Sequence, residues 1–451
     1  MSTAGIVGRG IAWSAAGAMA GRVIGLANIL LILTHLSVYE YGLIELTMSV
    51  VSTIGLFMLP GLTSVIIVDM GTEQASGSLG KAKGLFLQYF GLNLLLGITA
   101  WALLFFGSTI IAQLTGNLLI DVFFKAISFI FLISPFRVAS SMLATVLLRY
   151  GDQSFFSVVE ECVKGLFLII AFYGYDLGAM GLLYANVLAP LFAVLIFLPR
   201  TLSAYRHFSN ASFEVSRPVW QILSDHRKWS VGSSYVNTLS QNARIWIIKL
   251  MLGTEAVGIF AFAYGIFSQI VGLLPLSSVL TPLVPHYMAD SVRLGRLIRA
   301  SIKLQIVLAA SIVVIGMIAT MHFVHFLFPK YEAAIPLILV AMFAIIPNGI
   351  ASTLNPVFAA FKAQRSIFFA TILKLTLIVG ILPVSLYLIG LVGAAVELLL
   401  TTTASMIERY FRVRRFVPEA RIRLKEFVRM DSFERDIADL LVSKFRALIK
   451  R

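Results

Sequence analysis

The chain has 451 residues, of which 59% are hydrophobic and only 13% charged. Soluble domains carry roughly 25% charged residues, so the composition excludes a soluble globular protein and indicates many membrane spans. The net charge of +14 would suit a nucleic acid, but its placement along the chain assigns it to membrane orientation, and no nucleic-acid partner is expected.

The opening MSTAGIVGRG leads straight into an apolar run without a small-residue cleavage site, so no cleavable signal peptide is expected. Cys162 is the single cysteine, which excludes an internal disulfide. A span needs about 20 mostly apolar residues. Such runs number twelve: 11–33, 43–69, 85–106, 122–148, 155–174, 179–198, 229–252, 259–283, 301–328, 335–361, 367–389 and 391–411. The expected fold class is an all-α polytopic membrane protein. Many spans contain proline (Pro60, Pro135, Pro190, Pro275, Pro282, Pro347, Pro356, Pro383), which membrane helices tolerate when neighbours satisfy the freed backbone groups.

Of the 36 Lys and Arg, 26 lie in the N-terminus, the even-numbered connections and the C-terminal tail, whereas the odd-numbered side has only Lys330 in a connection and Lys125 near the outer end of the fourth span. The positive-inside rule places both termini in the cytoplasm. Eight more cations lie inside spans: Arg22, Arg137, Lys164, Arg244, Lys249 and Lys374, with Lys303 and Arg409 at cytoplasmic span ends.

The halves resemble each other. Trp13-Ser14 and Gly42 recur as Trp229-Ser230 and Gly258 at an offset of 216. Residues 133–156 align without gaps on a stretch beginning at residue 345, pairing Pro135 with Pro347 and Ser154 with Ser366, and the same offset of 212 places Gly178 on Gly390. Six spans per repeat is an even number, so both halves enter the membrane in the same direction, as parallel repeats about the membrane normal. The expected domains are a six-helix lobe over 1–198, a cytoplasmic linker over 199–228, a second lobe over 229–411 and a basic tail over 412–451.

An arginine at the centre of a span costs roughly 2.5–3.5 kcal/mol on insertion scales. Arg22 borders a first-span stripe of Ser14, Gly17, Gly21, Gly25 and Asn28, which either packs closely on another helix or lines a cavity. In the seventh span Ser230, Ser234, Asn237, Gln241 and Arg244 share one face and read as a wall wetted by water. Arg137 has no acid one turn away, and Lys374 none either, whereas Lys164 has Glu160 at i−4 for a helix ion pair. Lys249 is placed to snorkel. Glu45, Asp69 and Glu397, near span ends, read as structural. His322 and His325 lack a third ligand for a metal, and the Asn210-Ala211-Ser212 sequon sits in an expected cytoplasmic loop. No phosphate-binding glycine loop occurs, so neither ATP nor any other cofactor is expected. In the tail, Phe427, Met430, Phe433, Ile437, Leu440, Leu441, Phe445 and Leu448 follow helical spacing among basic residues, with Asp431 and Glu434 as a capping box. Such a helix either lies on anionic lipids or docks on the lobes or a partner.

Twelve spans split six and six, with LTHLSVYEYG (33–42) after the first and LMLGTEAVGIFAFA (250–263) after the seventh, resemble the polysaccharide (Wzx-type) flippases of the multidrug/oligosaccharidyl-lipid/polysaccharide exporter superfamily. The resemblance implies a bacterial inner-membrane protein that turns over a polyprenyl-diphosphate-linked oligosaccharide, alone or beside other polysaccharide-assembly proteins. On that reading Arg22, Arg137 and Arg244, assisted by Lys374, receive the diphosphate, since arginine's planar fork suits phosphate oxygens. Asn28, Asn237 and Gln241 complete the expected binding surface. A drug or cation antiporter of the same superfamily needs a membrane-embedded carboxylate, and the first and seventh spans contain none. A membrane polymerase or glycosyltransferase acting on the same lipid is disfavoured by outer loops of about 15 residues or fewer.

Overall fold

A chain crossing a bilayer must satisfy its backbone polar groups internally, and helices do so within one segment. The computed structural model describes residues 3–115, 119–214, 218, 221, 228–272, 274, 280, 284, 287, 288, 290–361 and 363–421. Its helices are α1 (Thr3–His35), α2 (Val38–Ile54), α3 (Pro60–Ala75), α4 (Leu79–Thr115), α5 (Leu119–Ser128), α6 (Ile130–Val146), α7 (Tyr150–Ile169), α8 (Gly178–Ser209), α9 (Lys228–Leu252), α10 (Thr254–Gly272), α11 (Ser291–Leu327), α12 (Ile335–Phe343), α13 (Ile345–Ala360), α14 (Gln364–Ile389) and α15 (Val392–Phe416). No strand occurs among the described residues.

These helices account for the twelve expected spans because three of the spans are broken. The run 43–69 is divided at Leu59, which takes a left-handed backbone (φ 52°) before Pro60 opens α3. Proline disfavours helical geometry in the residue before it and is preorganised for a first helical position, so the break follows from the sequence. The pair ending at Phe343 and starting at Ile345 is bent by 45°. Pro347 causes it: its ring clashes with the carbonyl four residues earlier, that of Phe343. The repeat-equivalent span is interrupted at Phe129, between α5 and α6, with Pro135 in the first two turns of α6.

Among the described residues, seven stretches are long and apolar enough to cross a membrane alone, and the bent pair makes an eighth. The four spans left over are α1, α7, α9 and α15. They carry Arg22, Lys164, Arg244, Lys249 and Glu397, side chains that must face protein or water rather than lipid. Elsewhere large apolar groups such as Phe106, Ile110, Leu195 and Ile196 are exposed, as contact with lipid demands.

Both signatures around the first hairpins have local causes. Ser37 and Glu40 form a reciprocal capping box at the start of α2: Glu40 N donates to Ser37 Oγ (3.2 Å), and Ser37 N donates to Glu40 Oε2 (2.9 Å). In the second signature Gly253 (φ +92°) ends α9, its amide donating to the Lys249 carbonyl at 3.0 Å. The matched glycines then meet. A Cβ on Gly42 would lie 2.2 Å from the Thr254 carbonyl oxygen, and one on Gly258 would lie 2.1 Å from that of Val38. Backbone therefore rides on backbone where α2 and α10 begin.

The expected linker 199–228 is helical as far as Ser209. Ala204 and Phe208, four apart on one helix face, are buried, and that apolar stripe continues α8 beyond the expected boundary. Lys83 Nζ from α4 donates to the Ser209 and Ala211 carbonyls, both at 2.9 Å, closing the helix end. By packing, one compact unit comprises Met1–Ala261 with Leu327–Tyr331, and the other Phe262–Phe326 with Glu332–Arg451. The packing boundary thus falls later in the chain than the boundary read from the repeat. Helix α9 belongs to the first unit because Val231 joins the apolar cluster of Leu62, Ile66 and Met70. In the second unit Leu297, Ile298, Leu354 and Phe358 pack with Val413 and Val417. The amphipathic tail pattern from Phe427 to Leu448 lies outside the described residues.

Candidate functional site: buried polar side chains of the first unit

Part of the first-span stripe, Gly17, Gly25 and Asn28, is a helix contact, whereas a Cβ on Gly21 would meet nothing within 4 Å. Helices α1 and α7 run against each other, and a Cβ on Gly17 would fall 2.3 Å from Ser154 Cβ, with Gly25 facing the Glu161 carboxylate. Asn28 is only 3% exposed. Its Nδ2 donates to the Glu161 carbonyl (2.9 Å) and to Glu161 Oε2 (3.0 Å), and its Oδ1 lies over Gly165, where a Cβ would be 2.6 Å away. Asn28 therefore holds α7, the packing role that the sequence had left open beside a cavity-lining one. Six positions away on the same helix, Arg22 is half-buried.

The preceding residue of α7, Glu160, is committed elsewhere. Arg137 Nε on α6 donates to Glu160 Oε2 at 3.0 Å. Arg137 thus finds its acid on another helix and not one turn away on its own, and Glu160, expected to pair with Lys164, is shared between the two cations. The partner comes from a neighbouring helix, so no i±4 pattern reveals it. Lys164 interacts electrostatically with Glu161, Glu160 and Glu45, the last reaching in from α2. Consecutive carboxylates on α7 thus tie α6 through Glu160 and α1 through Glu161.

On α9 the polar face is divided. Arg244 is 2% exposed, whereas Asn237 and Gln241 are exposed; the Ser230 side chain lies outside the described residues. Buried Asn242, which the sequence reading passed over, donates through Nδ2 to Ser52 Oγ and Thr53 Oγ1 of α2, both at 2.8 Å. Its signal was only an Asn beside the chosen stripe. Lys249 reaches back over the Trp246 ring (5.3 Å to its centroid). Lys374 is half-buried on α14, in the second unit. In the same unit Glu397 is fully buried on α15. His325 Nδ1 pairs with Glu332 at 2.6 Å, and no metal-binding group of three side chains occurs among the described residues.

Arg137 also lines a cavity of about 270 Å³, which it shares with Arg149 and Arg200. Neither of these was a sequence candidate, because each falls just outside a span, where cations are expected for topology alone.

A family of polysaccharide biosynthesis proteins matches residues 35–336, about two thirds of the chain. Among curated proteins none matches. Solved structures do. An inward-facing multidrug resistance MATE family transporter of the MOP superfamily superposes with a TM-score of 0.70 at 14% identity, covering 88% of this chain and 95% of that one. A MOP superfamily transporter from Pyrococcus furiosus, described as having a binding pocket of reverse polarity, gives 0.67 at 14%, covering 92% and 96%. A Vibrio cholerae MATE transporter in its bent form gives 0.60 at 12%, covering 91% and 99%. These relatives are transporters, not enzymes, and at such identities they establish the fold: twelve membrane helices in two lobes. With most of its length matched by one family and nearly all of it by one fold, this multi-pass membrane protein belongs to the polysaccharide biosynthesis protein family.

Proposed function

We propose that this protein is a flippase that carries a polyprenyl-diphosphate-linked oligosaccharide from the cytoplasmic to the periplasmic leaflet of a bacterial inner membrane. It would act by alternating access, with both termini cytoplasmic, in the assembly of O-antigen, capsule or exopolysaccharide. The observation that carries this reading is the set of arginines on membrane helices of a polysaccharide-biosynthesis family member, foremost Arg244, 2% exposed on α9. A diphosphate carries the charge that such groups attract, and the attraction grows as water is excluded. Arg22 on α1 joins Arg244 in receiving it, and Lys374 assists from α14. Asn237 and Gln241, exposed on α9, supply hydrogen bonds to the glycan. The lipid chains stay in the bilayer.

A cation-coupled exporter is the second reading, and Glu45, Glu160 and Glu161 favour it, because they place carboxylates among the first-unit helices. Deletion of the gene separates the two. A flippase leaves lipid-linked glycan on the cytoplasmic leaflet and depletes surface polysaccharide, with sensitivity to cationic dyes unchanged. Normal surface glycan together with dye sensitivity, reversed on re-expression, would sink the flippase reading.

A further inference from the structure

Where α6, α7 and α8 come together, three arginines converge on one cavity. Arg137 comes from α6, Arg149 precedes the first residue of α7, and Arg200 lies on α8. Ser140, Ser141, Ser157 and Thr201 add hydroxyls to the wall. Two of the guanidinium groups are positioned by partners. Arg200 Nη1 donates to Asp152 Oδ1 at 2.9 Å, and its guanidinium lies over the Phe155 and Phe197 rings, 5.3 Å from each centroid. Arg137 is held by Glu160. Arg149, which is exposed, has no ion-pair partner among the described residues, so the cavity's three arginines have two carboxylate partners, Glu160 and Asp152, between them.

The backbone delivering Arg149 is unusual. Leu148 adopts φ 56°, a conformation that residues with a side chain rarely take, and it swings the chain between α6 and α7 so that Arg149 reaches the cavity. Strain of this kind is concentrated at functional sites. The chemistry selects an anion with several oxygens: guanidinium forks bind phosphate in two-pronged fashion, and serine and threonine hydroxyls donate to the remaining oxygens. Size sets a limit. At about 270 Å³ the cavity is below the roughly 300 Å³ where pockets for drug-sized molecules begin, so it admits a headgroup and not a glycan. Depth sets another. On the orientation given by the Lys and Arg distribution, Arg149 and Arg200 lie at the cytoplasmic ends of their helices, level with inner-leaflet phosphates.

We propose that this cavity is a docking site for the phosphate or diphosphate group of a membrane lipid in the cytoplasmic leaflet. It is built within the first unit, apart from Arg244. The carrier is either an anionic phospholipid or the polyprenyl diphosphate of the transported substrate. Only the second carrier rests on the flippase reading, and the experiment measures binding rather than transport, so the two fail separately.

Arg149 is the side chain to change, because its removal leaves no carboxylate unpaired. Purified full-length protein and Arg149→Gln, Arg149→Lys and Ser141→Val variants are placed in nanodiscs of neutral lipid. Each is titrated with an anionic phospholipid, with polyprenyl diphosphate and with inorganic pyrophosphate, and bound lipid is counted by native mass spectrometry. Lys249→Gln serves as a charge-matched control outside the cavity. Arg149→Gln should weaken lipid binding roughly tenfold, the loss of one charge-assisted hydrogen bond, with Arg149→Lys in between and the control unchanged. Weakening for polyprenyl diphosphate alone identifies the substrate as carrier, and weakening for the phospholipid identifies a structural or regulatory lipid. Binding of pyrophosphate without either lipid would overturn the proposal. Equal lipid binding by Arg149→Gln and the parent protein, at matched melting temperature, would also overturn it.

Discussion

Helices α1 and α9 occupy matching places in the repeat, and both lie in the first unit, yet they use their polar stripes differently. At the offset of 216 that pairs Trp13 with Trp229, Asn28 falls on Arg244. Both are buried, at 3% and 2% exposure. Around Asn28 the stripe is glycine, and it lets the α7 backbone approach closely enough for the amide to bridge to Glu161. Around Arg244 the stripe is longer side chains, and Asn237 and Gln241 stay uncovered while Asn242 takes over the contact with α2. Small residues make the polar position structural. Large ones leave a face open beside a buried cation.

If that contrast is right, the two positions should fail in different ways. The largest effect belongs to Arg244. Replacing it with alanine should nearly abolish transport of lipid-linked glycan while the amount of folded protein in the membrane stays close to normal. Lysine should restore part of the activity, since charge remains and the planar fork is lost. Glutamate should be worst, because it repels the diphosphate. The quantity to measure is transport per folded molecule. An Arg244→Glu protein that transports normally would end the assignment.

Asn28 should show the reverse. Asn28→Ala removes both hydrogen bonds to Glu161 and takes one donor from a half-buried carboxylate, a cost of about 1 kcal/mol. Expected are a lower melting temperature in detergent and less folded protein, with unchanged transport per molecule. A selective loss of transport at full stability would instead return Asn28 to the substrate path.

The same pair shows how much was legible in the sequence. Apolar runs marked all twelve spans, because bilayer thickness sets their length independently of tertiary packing. Prolines 60 and 347 marked two of the three breaks, since the ring acts on its own neighbours. The glycine match at 42 and 258 was visible as repetition. Its cause was not: the two glycines touch each other, and no local pattern reports a contact between segments more than 200 residues apart. The polar stripe on α1 was likewise found without its partner. Periodicity gives the face of a helix but not what covers it. For the same reason Arg137 lacked an acid along its own helix, and the pairing with Glu160 emerged only from the packing of α6 on α7. The α6–α7–α8 cavity escaped notice because Arg149 and Arg200 follow the positive-inside pattern that topology alone requires.

The smallest effect should come from the Arg137–Glu160 pair, and it tests whether α7 holds its two neighbouring helices equally. Glu161 is bound by a nearly inaccessible asparagine. The Arg137 side chain, by contrast, is 54% exposed and that of Glu160 19%. Exposed ion pairs contribute about 0–1 kcal/mol, because solvent screens the charges and fixing two long side chains costs entropy. A double-mutant cycle with Arg137→Gln and Glu160→Gln should therefore give a coupling energy below about 1 kcal/mol, read from thermal unfolding in the same detergent. It should also fall as salt is added, as a solvent-accessible pair requires. The Asn28 contact, shielded between α1 and α7, should be insensitive to the same change. A coupling of several kcal/mol, unmoved by salt, would mean that Arg137 is a structural strut as firmly held as Asn28. It would then not be available to an incoming phosphate. A weak, salt-sensitive coupling leaves its guanidinium able to exchange Glu160 for a ligand oxygen at little cost in stability, which is the property a headgroup-binding arginine needs.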